Sequence, residues 1–336
     1  MRLREWDPAV APDGELRSWL QAYNRALSVD LPDDPPWGPD SLREYLAVTL
    51  PGERRLTWLA EGGAGEVVGY GRLLMQTGFG VIELFVVPAA RRTDVGTTLL
   101  QTIAEHAVAD GFTSLAVEVT GETAAVRFYP RYGFRHVYTE MRHLLDLGRV
   151  DWEHLAEMAQ AVVPGYRIEV HPGVPEHLLP SYAEAKQVRQ LDPTGDLDLR
   201  PSSYDSDRLR LSLLCLQARG LKPYVVVAIH ERSERVAGLT ELVVPAQHPT
   251  RADQYDTTIV PEHNGYGLAR ALKARMLLEL REHEPQLREV QTWHAADRET
   301  LQQVNQELGF KPDREWREYE TDARDLLDRL NLRLSC

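Results

Sequence analysis

Two stretches decide how this chain reads: VIELFVVPAARRTDVGTTLL at residues 81–100 and QYDTTIVPEHNGYGLARALK at residues 254–273. Each opens as an apolar, strand-like run and reaches a proline, Pro88 or Pro261. Each then crosses a short polar turn into a helix-like run, with a small residue, Gly96 or Ala269, eight positions after the proline. The second turn carries Gly265 and Gly267. A tight turn is the plain explanation, because glycine tolerates the positive φ that such turns demand. An anion site is the sharper one. A helix N-terminus presents unpaired N–H groups and partial positive charge, and glycine lets a phosphate close on the backbone.

The surroundings repeat as well. An amphipathic helix follows each turn, at 95–109 and 267–283. Then come a strand (113–119, 288–294) and a short helix ending in Gly133-Phe134 or Gly309-Phe310. The prolines are offset by 173 residues and the Gly-Phe pairs by 176, so two distant landmarks keep register. Strand-like runs at 55–61 and 66–75 precede the first turn, and runs at 223–231 and 235–244 precede the second. Gly111-Phe112 and Glu284-Pro285 end the long helices. The expected organisation is therefore two homologous domains, 1–147 and 166–336, joined by a linker helix at 148–165. Helical stretches at 13–50 and 175–220 differ between the halves. They are broken by LPDDPPWGPD (31–40) and LDPTGDLDLRPSSYDSD (191–207), loops of a kind that commonly borders a binding site. DARDLLDRLNLR (322–333) reads as a terminal helix docked on the second domain.

Length and charge narrow the function. A chain of 336 residues suits two domains. A net charge of −13 disfavours nucleic acid and anionic membrane as partners. An anionic ligand must then be held by local groups, which favours a backbone cradle. No apolar run reaches membrane-spanning length, and the first residues lack the apolar core of a signal peptide. Cys215 and Cys336 make neither a disulfide framework nor a metal cluster, so a cytoplasmic location is expected.

The strand, the turn of the form Arg/Gln-x-x-Gly-x-Gly/Ala, the helix, the strand and the short helix ending in Gly-Phe resemble the GNAT superfamily of N-acyltransferases. The turn reads Asn264-Gly265-Tyr266-Gly267-Leu268-Ala269 in the second copy and Arg91-Arg92-Thr93-Asp94-Val95-Gly96 in the first. The tandem arrangement is similar to mycothiol-synthase-like two-domain members. The resemblance implies an α/β (α+β) fold, with a mixed, mostly antiparallel central sheet flanked by helices in each domain. It implies acetyl-CoA or another acyl-CoA as co-substrate and no metal. The pyrophosphate would rest on the turn amides. The pantetheine arm would pair with the strand before the turn, at Ile259 and Val260, with an N–H near Val260 facing the oxyanion. A tyrosine four residues before the Gly-Phe pair would protonate the departing thiolate. Tyr129 occupies that position in the first copy and Asn305 in the second.

Acyl transfer to an amine needs a base, donors for the oxyanion and close approach of the reactants. Glu241 and Asp256 are acidic residues inside apolar strand patterns of the second half, and Glu83 is the counterpart in the first. Each reads equally as a solvent-facing residue of an alternating strand. His263, Trp293, His294, Tyr255 and Tyr266 flank the second site. Lys273 and Arg275, on the helix after the turn, are placed to reach a CoA phosphate, but read more simply as an exposed helix face, with Arg275–Glu279 as an i,i+4 pair. Asp94 sets a side chain and a carboxylate where a pyrophosphate would lie, although Arg91, Arg92 and Gly96 remain. On this basis the first domain reads as degenerate and the second as the donor site. The expected acceptor is a small-molecule amine, and the expected state a monomer or homodimer. Two other readings stand beside this one: a donor delivered by an acyl carrier protein or tRNA, and a non-catalytic acyl-CoA sensor or scaffold.

Overall fold

The computed structural model describes residues 1–50, 52–76, 79–161, 164–189, 205–295 and 299–334. In chain order the elements are β1 (Arg2–Glu5), α1 (Asp13–Asp30), α2 (Leu42–Ala47), β2 (Arg54–Glu61), β3 (Val67–Gln76), β4 (Phe79–Val86), α3 (Val95–Ala109), β5 (Ser114–Thr120), α4 (Ala125–Phe128), β6 (Arg135–Asp146) and α5 (Trp152–Gln160). There follow β7 (Tyr166–His171), α6 (Leu179–Arg189), α7 (Ser206–Ala218), β8 (Leu221–His230), β9 (Arg235–Pro245), β10 (Arg251–Ile259), α8 (Leu268–His283), β11 (Glu289–Ala295), α9 (Glu299–Glu307), β12 (Lys311–Asp322) and α10 (Ala323–Leu334).

The chain forms two compact units. In the first, β1 to β4 pair antiparallel in sequence order and β5 joins β4 in parallel. The sheet closes with Trp316–Asp322 of β12, antiparallel to β5. In the second, β7 to β10 pair antiparallel and β11 joins β10 in parallel. That sheet closes with Glu140–Asp146 of β6, antiparallel to β11. The parallel pair in each unit needs a crossover helix, and α3 and α8 supply it. The units thus differ from the sequence bounds in their last strand: residues 140–146 belong to the second unit and 315–336 to the first.

In the first unit Val95, Leu99, Leu100, Ile103, Ala104 and Ala107 make one apolar stripe on α3 and bury it against the sheet. Ala323, Leu326 and Leu330 of α10 complete that core, so the terminal helix docks on the first unit rather than, as expected, the second. The opposite face of the sheet packs an aromatic layer, Trp6, Trp19 and Tyr70 among it, beneath α1 and α2. In the second unit α8 and the linker helix α5 share one core with the sheet. Residues from α6 and α7 pack on the other face. Gly133 and Gly309 end their short helical segments at φ 92° and 94°, the left-handed cap that glycine adopts without a steric penalty. Among the described residues no helix is long and apolar enough to cross a membrane.

Candidate functional site

The two turns share one backbone conformation. Gly265 and Gly267 have φ of 84° and 72°, and Arg92 and Asp94, 173 positions earlier, have φ of 66° and 63°. Aspartate visits this left-handed region more readily than most side chains, whereas arginine does so at a cost of about 1 kcal/mol or more. A Cβ built on Gly267 meets nothing within 4 Å, so a side chain at this position is not crowded. The steric objection to Asp94 therefore falls, and its charge remains to be weighed.

A cavity of about 370 Å³ adjoins the first turn. Leu84, Phe85 and Val86 of β4 form one wall, and Arg91, Arg92, Asp94, Gly96 and Thr97 form the turn side. Arg127, Phe128, Tyr129, Arg131 and Tyr132 form the opposite wall. Arg91 is a clamp: its two terminal nitrogens donate to Asp30 at 2.9 and 2.6 Å, and Nε donates to the Val86 carbonyl at 3.1 Å. Arg92, Arg127 and Arg131 are exposed and have no ion-pair partner among the described residues. Asp30 and Asp94 are the two carboxylates of the lining; Arg91 neutralises the first, and three further guanidinium groups stand against the second. The site is locally positive on an acidic chain. The two wall arginines stand four residues apart just before Gly133, a spacing visible in the sequence but not read as a phosphate contact.

The cavity reaches the sheet where its parallel pair opens. The β4–β5 register runs from Phe79↔Ser114 to Ile82↔Val117 and stops, although both strands continue. The Val87 N–H donates to Val68 of the neighbouring antiparallel strand at 2.9 Å. Backbone direction alternates along a strand, so the N–H groups of Val86 and Leu84 point the other way, into the gap. Tyr129 is 2 % exposed and lines this cavity. Burial, reinforced by the charge of Glu83, pushes its phenol above the ordinary value, so it stays protonated. Glu83 is half-exposed and meets Arg72 at 2.6 Å. Tyr132 and Thr97 share a 2.8 Å hydroxyl contact across the cavity floor.

The second unit opens its parallel pair in the same way, with β10–β11 register ending at Gln254↔Thr292. Here polar side chains fill the gap. The cavity lined by Asp256, Thr257, Lys273, His294 and Asn305, among others, measures about 30 Å³, room for about two water molecules. Lys273 does not lie on an exposed face. It is 3 % exposed, donates to Gln254 Oε1 at 2.7 Å, and stands where the first unit has the core residue Leu100. Burial pushes its pKa down to about 7, with the charge of Asp256 acting the other way. Arg275 does pair with Glu279, at 3.3 Å. Asn305 is buried in the cavity wall.

Glu241 and Asp256 sit opposite each other across β9 and β10, but not facing solvent. Glu241 accepts from Tyr182 Oη at 2.5 Å and from Lys186 Nζ. Asp256 lies 3.4 Å from the same Lys186 and accepts from Thr258 Oγ1 at 3.1 Å. Both carboxylates thus surround a buried lysine that comes from α6, far away in sequence. The Val260 N–H, assigned to the oxyanion by the resemblance, donates to Ala237 at 2.9 Å. Ile259, Leu268 and Ala269 pack on the core. The Asn264 N–H donates to Pro261 at 3.1 Å, and Tyr266 is exposed beside Tyr166. The loop at 31–40 lies between α1 and α2, while residues 191–204 fall outside the described ones. Among the described residues no group of three or more His, Cys, Asp or Glu side chains is placed to hold a metal.

Residues 37–143 match the family model described as Acetyltransferase (GNAT) domain. A tandem GNAT protein from the clavulanic acid biosynthesis pathway, solved without acetyl-CoA, superposes with a TM-score of 0.82 at 24% identity, over 96% of this chain and 98% of that one. A GCN5-related N-acetyltransferase from Sphaerobacter thermophilus superposes with a TM-score of 0.63 at 17% identity, over 96% and 95%. A putative acetyltransferase from Pyrococcus horikoshii does so at 0.57 and 12%, over 96% and 89%. A search of curated proteins finds no significant match. The first half thus carries a GNAT domain by sequence, and the whole chain has the tandem GNAT fold.

Proposed function

We propose that the chain is an N-acyltransferase whose first unit holds the donor, an acyl-CoA with acetyl as the simplest acyl group, and passes the acyl group to the amine of a small molecule. The observation that carries this reading is the 370 Å³ cavity running from the first turn to the open edge of β4. On this reading the donor lies in the first half, whereas the sequence pattern favours the second.

The residues divide the work as follows. The turn amides and Arg92, Arg127 and Arg131 suit the pyrophosphate and 3′-phosphate of CoA. Their surplus positive charge offsets Asp94. The pantetheine arm enters the gap beside β4, where the N–H groups of Leu84 and Val86 can pair with its amides and polarise the thioester carbonyl. The acceptor nitrogen attacks that carbonyl. The C–N bond forms, the C–S bond breaks, and the amine proton leaves toward Glu83. Tyr129, held protonated, gives its proton to the departing thiolate.

Thiol release from acetyl-CoA, supplied with a panel of small amines, tests this directly. Tyr129→Phe should slow release about a hundredfold to ten-thousandfold, with donor affinity unchanged. Equal rates in the two proteins would remove Tyr129 from the chemistry.

A further inference from the structure

The acceptor side of the first unit has an unusual shortage of hydrogen-bond acceptors. Tyr70 and Arg72 lie two residues apart on β3 and so share a face, opposite Phe85 and Glu83 of β4. Tyr70 is 0 % exposed and its hydroxyl has no hydrogen-bond partner among the described residues. Arg72 gives Nη2 to Glu83 at 2.6 Å, while its buried Nε has no partner. Tyr70 Oη and the charged Arg72 Nε are thus left unmade beside Glu83, and the indole N–H groups of Trp6 and Trp19, which pack on Tyr70, are unmade as well. Such groups are costly unless something completes them.

The charge balance says what would complete them. Glu83 is the nearest counter-charge to Arg72, with Tyr70, Tyr45 and Glu53 acting more weakly. Once Glu83 engages the acceptor's ammonium or takes its proton, the guanidinium loses that counter-charge. A carboxylate on the same acceptor would restore it. In an α-amino acid the nitrogen and the carboxylate carbon are about 2.5 Å apart. The 2.6 Å contact between Arg72 Nη2 and Glu83 sets the two side chains next to each other, so one ligand carrying its amine and carboxylate on neighbouring atoms can meet both. Beside this pair stands an aromatic wall, with Trp37 4.8 Å from Tyr23 and 4.9 Å from Tyr45. Asn24 fixes Trp37 by two hydrogen bonds to its backbone, each 2.9 Å.

Resting on the reading of the first unit as the catalytic one, we propose that the acceptor is an amino acid with a free carboxylate beside its amine and an apolar or aromatic side chain. Arg72 and Tyr70 hold the carboxylate, Glu83 receives the amine, and the rings of Tyr23, Trp37 and Tyr45 bear the side chain.

Matched ligands test this: phenylalanine, its amide and phenethylamine, each with acetyl-CoA. Phenylalanine should exceed the other two in kcat/KM by about tenfold to a hundredfold, the range of a charged hydrogen-bond pair. Arg72→Gln and the volume-preserving Tyr70→Phe should level the series by raising KM for phenylalanine alone. Equal use of all three ligands, or variants that slow all three alike, would overturn the assignment. Thermal shift in the presence of CoA reads binding apart from turnover. A shift with phenylalanine but not phenethylamine supports the carboxylate site even if no thiol is released, a result that would count against the proposed reaction alone. No shift with either overturns the site.

Discussion

A fragment ending at residue 147 should not fold. The first unit's sheet closes with Trp316–Asp322, and its core includes Tyr319, Ala323, Leu326 and Leu330, which are 4, 0, 0 and 0 % exposed. Losing one buried leucine costs about 2–5 kcal/mol, and a whole domain is stable by about 5–15 kcal/mol. Removing two leucines, a strand and a helix exceeds that margin. Deleting 323–336 from the full chain should likewise abolish cooperative unfolding of the first unit, followed by near-UV circular dichroism during heating. A 1–147 fragment with a native-like, cooperative transition would contradict the assignment of β12 and α10 to the first unit.

The second large effect concerns Lys273. Its pKa is about 7 in the folded chain, against 10.5 ordinarily. Between those values the unfolded state binds more protons than the folded one, so stability rises with pH. Below pH 7 both states are protonated and the full cost of burying the charge is present. Above pH 10.5 neither state is protonated and the cost is gone. The shift corresponds to an upper bound of about 5 kcal/mol, and relaxation around the amine will leave less. Lys273→Met should therefore stabilise the second unit by about 2–4 kcal/mol at pH 6 and flatten the rise toward pH 10. Denaturant unfolding across that range checks both. Parallel pH profiles for the two proteins would mean that the amine stays charged in the fold.

Much of this architecture was legible in the residues. Hydrophobic periodicity placed the strands of both meanders and the long helices, because those elements bury one face and alternate or repeat accordingly. The Pro-to-turn-to-helix pattern also located two turns that share a backbone conformation. What pattern could not carry was pairing at a distance. KPDREWREYETD is a polar strand whose partner lies almost 200 residues earlier, and nothing local marks it as the last strand of the first unit. The proposed donor site was harder to read for a related reason. Gly265 and Gly267 look better suited to a phosphate than Arg92 and Asp94, yet all four adopt the same left-handed backbone. The units differ in what lines the cavity behind each turn: Tyr129 in the first, Lys273 and Asn305 in the second, where the core residue Leu100 is the counterpart of Lys273. A lysine at a core position of α8 was visible, but the exposed face of a helix was the easier reading. Glu241 and Asp256 looked like bases because Lys186, which occupies them both, comes from a separate helix.

The central claim is that the donor binds in the first unit. The most direct measurement is calorimetric titration with acetyl-CoA of the wild-type chain, of Arg127→Glu/Arg131→Glu, and of Gly267→Asp. Arg127 and Arg131 are exposed and have no ion-pair partner among the described residues, so their reversal should leave the fold intact. The account predicts one site per chain, affinity lowered about a hundredfold or more by the double reversal, and no change in Gly267→Asp. Binding that survives the double reversal and is lost in Gly267→Asp would place the donor in the second unit and contradict it.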